Sequence, residues 1–133
     1  MRVRQTRLHQ VPPLASTISN RRAVFGPAAP VKWLSVDLAS PTEVTAAIAF
    51  ANEPVVRTFS VGLDGRYEPS RSGRPLVARG AWTAADTLEI EIDEGPGIAP
   101  YRVRLTYDGD AVRLQGLSVG GETRLDIVGH LER

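Results

Sequence analysis

The chain has 133 residues, 42% hydrophobic and 23% charged, the proportions of one globular domain with a real core rather than of a disordered segment. Basic residues number 16 and acidic ones 15, and this formal net charge of +1 gives no general attraction to nucleic-acid phosphates or anionic lipid. Cysteine is absent, which excludes disulfides and thiolate chemistry, and no run approaches the roughly 18 apolar residues of a membrane helix.

Residues 1–16 read as a flexible basic leader or linker. Arg2, Arg4 and Arg7 precede Pro12-Pro13, and the apolar stretch of a signal peptide is missing. Lys32 is the sole lysine, and the arginine excess reads as the coding bias of a GC-rich bacterial genome. From Thr17 onward the dominant period is two, so 17–133 is expected to be a single antiparallel β domain.

The first strand-like runs are 18–25 and 31–38. In "EVTAAIAF", Val44, Ala46, Ile48 and Phe50 form one face; the alanines favour helix, but the alternation and flanking prolines predict a strand. Further runs follow at 55–63 and 76–82. "TLEIEID" sets Leu88, Ile90 and Ile92 against Glu89, Glu91 and Asp93, and "YRVRLTY" sets Tyr101, Val103, Leu105 and Tyr107 against Arg102, Arg104 and Thr106. The last runs are 112–117 and 124–130. Turn signals such as Gly26-Pro27, Asp64-Gly65 and Gly120-Gly121 separate them, the spacing of a sandwich or barrel.

Two registers follow. A two-residue turn at Asp108-Gly109 would oppose Leu105 to Val112 and Val103 to Leu114, at the expense of Arg104 facing Arg113. Pairing Ile90 with Val103 would set Glu89 beside Arg104 and Glu91 beside Arg102, an acidic strand against a basic one.

Catalytic patterns do not emerge. His9 and His130 lie near the two ends, the serines sit in neither a Gly-x-Ser-x-Gly nor a Ser-x-x-Lys pattern, and no phosphate-binding glycine loop is present. The acidic stretch 86–94 reads as a solvated strand face, and no metal, cofactor or nucleic-acid partner is expected. Trp33, Phe50, Phe59, Trp82, Tyr101 and Tyr107 are expected to point inward and fill a small barrel. The loop after Asp64-Gly65 runs from Arg66 to Pro75 and holds Arg66, Arg71 and Arg74, with Pro69 and Pro75 restricting its backbone. It is longer than chain reversal needs, which makes Arg66, Arg71 and Arg74 the candidate contacts to a carboxylate-bearing partner.

The order "TISNRRAVFGP", "VKWLSVDL", "FSVGLDGRY", "VARGAWTAADTLEIEID", "YRVRLTYDGDAVRLQ" resembles the C-terminal β-domain of class C β-lactamase-like, penicillin-binding-protein-type serine hydrolases. The resemblance covers residues 17 to about 130, although the asparagine of the family's first motif is missing from "FGPAAPVKW". It implies an all-β fold: a lipocalin-like, antiparallel up-and-down barrel of about eight strands. It also implies a non-catalytic accessory module that packs on a serine hydrolase catalytic domain. The Ser-x-x-Lys and Tyr-x-Asn elements of that catalytic domain have no counterpart here, so no catalytic residue is carried over. The alternative expectation is a binder of a small apolar ligand within the barrel. The sequence assigns no compartment.

Overall fold

The computed structural model describes residues 12–38, 43–63, 68–69, 76–95, 99–118 and 122–132. In chain order these form α1 (Leu14–Ile18), β1 (Ala23–Phe25), β2 (Val31–Asp37), β3 (Glu43–Phe50), β4 (Arg57–Gly62), β5 (Glu68–Pro69), β6 (Val77–Ala84), β7 (Thr87–Asp93), β8 (Tyr101–Asp108), β9 (Ala111–Leu117) and β10 (Thr123–Leu131). The alanine-rich 43–50 segment is indeed strand: Val44, Ala46 and Ile48 are buried on one face, and that burial outweighs the helical leaning of alanine.

Hydrogen-bonded neighbours run β4-β3-β2-β1-β10-β9-β8-β7-β6, and Gly62 of β4 pairs with Arg79 of β6 to close the ring. Among the described residues the result is a closed barrel of nine strands, with β5 attached to β6 beside the ring. The closing pair is parallel while the other pairs are antiparallel, and this follows from counting. When directions alternate around an odd number of strands, the first and last must point the same way. The seam has a single bridged pair.

Inward positions are apolar, and outward positions on β7, β8 and β9 include Glu89, Glu91, Arg102, Arg104 and Arg113. A barrel that spans a membrane shows the inverse, an apolar outer band. Among the described residues no helix is long and apolar enough to cross a membrane.

One end of the barrel is plugged. Residues 14–18, expected to lie at the junction of a leader and a first strand, form α1, with Ala15 and Ile18 one turn apart and buried in the core. Proline at 13 presets the helical φ, and Asn20 at φ 62° turns the chain out of the helix. The run 18–25 is therefore not one strand; only Ala23–Phe25 pairs. Backbone N–H of Asn20 donates to the Val36 carbonyl (2.8 Å) and that of Leu38 to Ser19 Oγ (2.8 Å), seating the helix against the end of β2. Arg21 fastens the same end, donating from Nε to the Glu132 carbonyl (3.0 Å) and lying 3.5 Å from Asp110.

The β7–β8 register is as the charges require: Ile90 opposes Val103, Glu89 opposes Arg104 and Glu91 opposes Arg102. Glu89 accepts from Arg104 Nε at 3.3 Å, whereas Glu91 turns to Arg79 of β6 at 2.6 Å. These half-exposed pairs each contribute less than about 1 kcal/mol, and they bias register more than they add stability.

The β8–β9 hairpin differs from expectation by two residues. Asp108 opposes Ala111, Leu105 opposes Leu114, and the loop residues are Gly109 and Asp110 rather than Asp108 and Gly109. Gly109 has φ +60° and Asp110 is not in the positive region, the pattern of a type II′ turn with glycine first. The shift keeps the same residues inward while separating the two like charges: Arg104 now faces Gln115, and Arg113 faces Thr106. Gly109→Val is expected to lower stability by about 1–2 kcal/mol, since a β-branched residue is strained at this φ. A melting curve by circular dichroism checks it, and an unchanged midpoint would contradict the turn.

Candidate functional site

The end opposite α1 is built by the last inward position of each strand. Alternation that buries Val44, Ala46 and Ile48 brings Phe50 to the rim of β3, and alternation through Val61 and Phe59 brings Arg57 to the rim of β4. Continued past Ile92 it brings in Glu94, and on β8 the position before Val103 on this face is Tyr101. These four side chains border a cavity of about 630 Å³ whose wall includes Leu34, Ile48, Phe59, Ile92, Val103 and Leu114. Its depth has a local cause. Gly116 stands at an inward position of β9 opposite Val103 and Leu125, so the wall lacks a side chain there.

The expectation that large side chains fill the interior holds for only half of the barrel. Trp82 and Tyr107 are buried with Leu88, Leu105 and Val112, away from the cavity. Burial pushes the Tyr107 hydroxyl well above the usual tyrosine range, so it stays protonated. Phe50, Phe59 and Tyr101 line the cavity instead of closing it. Trp33 is not inward at all. A register shift between Val31 and Trp33 resets the alternation, leaving Val31 and Leu34 inside and Trp33 on the outer face, with Arg22 stacked 4.2 Å from its ring centre.

Residues 51–56 cross the rim between β3 and β4. Val55 is 69% and Val56 41% exposed, although both border the cavity. Arg57 holds this segment: its Nε and Nη2 donate to Glu53 Oε2 (3.0 Å) and Oε1 (2.6 Å), and its Nη1 lies 3.9 Å from Glu94 Oε1. The guanidinium stands over Phe50 at 5.3 Å. The hydrogen bond that Arg57 donates to Glu53 raises the arginine pKa further, so the group is always charged.

The acidic stretch divides accordingly. Glu89 and Glu91 are outward and paired, Asp93 accepts from the Gly95 N–H at 2.9 Å, and Glu94 faces the cavity instead of solvent. His130 is exposed, and among the described residues no three acidic or histidine side chains converge as metal ligands do. Arg66, Arg71 and Arg74, the candidate partner contacts, lie outside the described residues. Sequence reasoning missed Arg57, Glu53 and Glu94. The available signal was a charged residue at an inward position just where a strand reaches its end.

No family model and no curated protein matches the chain.

Proposed function

We propose that this protein binds a small, largely apolar molecule in the open half of its barrel. One observation carries the reading: a cavity of about 630 Å³, walled by aliphatic and aromatic side chains, with its polar groups gathered at one rim. Ligand pockets commonly span about 300–1,000 Å³ and combine apolar walls with a few convergent polar groups. Each Å² of apolar surface withdrawn from water contributes about 25 cal/mol, and a ligand seated there would cover wall that otherwise faces water. Over a binder, the accessory role implied by the resemblance is favoured by a filled interior, which would leave no cavity. With half the interior open, the order of short motifs is what remains behind it.

The test is titration with Nile red, a neutral dye whose emission shifts blue in apolar surroundings. Saturable binding is expected, with one dye per chain and a dissociation constant in the micromolar range, about −8 kcal/mol. Emission that stays at the value for water, or rises without saturating, would sink the reading.

A further inference from the structure

We infer that the cavity selects uncharged apolar molecules over the corresponding carboxylates, and that Glu53 sets this preference by occupying the fork of Arg57. The inference rests on the binding reading above and adds the chemical class of the ligand. An arginine at the mouth of an apolar barrel would ordinarily be the anchor for a carboxylate headgroup, because its planar fork matches two carboxylate oxygens. Here that fork is already filled from within the chain. Nε and Nη2 of Arg57 both donate to Glu53, at 3.0 and 2.6 Å.

The remaining arm, Nη1, points toward Glu94 at 3.9 Å, and one face of the guanidinium is turned to the Phe50 ring. Among the described residues that line the cavity, Arg57 is the one cation, and Glu53 and Glu94 are the two acids. An entering carboxylate therefore meets a guanidinium whose Nε–Nη2 edge is already taken, and two like charges. To take the Nε–Nη2 edge it must displace Glu53, which exchanges one charge-assisted pair for another and leaves a carboxylate at the rim without its partner, and at Nη1 it would stand beside Glu94. A neutral molecule meets none of these penalties. Its apolar body can lie along the wall while Arg57 and Glu53 remain paired beside it.

Local chain geometry explains why the pair forms. Glu53 and Arg57 are four residues apart, and residues 51–56 cross the rim so that Glu53 reaches the guanidinium that stands over Phe50. The pair thus stands at the mouth and sets its charge preference.

The experiment displaces bound Nile red with 1-decanol and with decanoate at pH 8, where decanoate is ionised. Decanol is expected to compete at least tenfold more strongly than decanoate. Glu53→Gln removes the competing charge and loosens the fork, so decanoate binding should strengthen about tenfold while decanol binding stays the same. Decanoate that competes with the native chain as well as decanol overturns the inference. So does a Glu53→Gln variant that leaves the gap unchanged, or displacement by neither compound. Failure of Nile red itself to bind overturns the underlying binding reading instead, which keeps the two outcomes apart.

Discussion

Gly129→Ala is expected to destabilise the barrel by about 2–3 kcal/mol, lowering its melting midpoint by roughly 10 °C. Gly129 lies at an inward position of β10, paired with Phe25 on one side and Val112 on the other. A methyl group there would collide with the Val24 carbonyl oxygen and sit 2.7 Å from Phe25 Cδ1. The ring could be pushed aside, but the carbonyl belongs to the backbone of β1. That strand has only three residues and is held between β2 and β10, so moving it loosens both ladders at once. Glycine here is needed for close approach of backbone and ring, not for an unusual φ. Gly26→Ala is the control: a Cβ at that position meets nothing within 4 Å, and its midpoint should stay within about 2 °C of the native chain. Equal midpoints for the two variants would mean that β1 does not lie against β10 as described.

What could be read ahead of the structure follows how far each signal reaches along the chain. Period two was sufficient for β3, β7 and β8, because every second side chain on these strands is apolar and buried. Complementary charges fixed the β7–β8 register to the residue. The β8–β9 register was less legible, since Asp108-Gly109 and Gly109-Asp110 give loops that keep the same face inward; the backbone at Gly109 and the separation of Arg104 from Arg113 distinguish them. Helix α1 escaped because five residues contain a single turn's worth of periodicity, Ala15 and Ile18, beside a run that also suits a strand. Trp33 was misplaced by one extra residue in β2, an irregularity that composition does not reveal.

The rim was hidden for a different reason. Arg57 and Glu94 resemble ordinary surface charges unless the alternation is followed past the last apolar residue of each strand. The cavity itself depends on Gly116, where the absence of a side chain acts on strands β8 and β10 rather than on its own neighbours in sequence.

That dependence leads to the effect expected on binding. Val103→Trp should weaken Nile red binding about tenfold or more without loss of fold, and adding Leu125→Trp should weaken it further. Val103 borders the cavity, is 9% exposed, and faces Gly116 across the β8–β9 ladder. Because Val103 borders the cavity, an indole at 103 can extend into the open half of the barrel. The added ring takes up the volume and the apolar wall that a ligand would use, and a tenfold loss corresponds to about 1.4 kcal/mol of that contact. Stability should hold or rise, since the substitution fills space instead of forcing apart a packed core. Leu125 extends the same argument to β10, where its side chain lies beside Gly116 at the cavity border. Val128→Trp provides the comparison, because Val128 is 64% exposed on the outer face of β10 and touches no part of the cavity. Isothermal or fluorescence titration of the three variants at matched folded fraction decides the matter. If the inner substitutions bind dye as well as the outer one, the dye occupies some other surface, and the open half of the barrel is not the binding site.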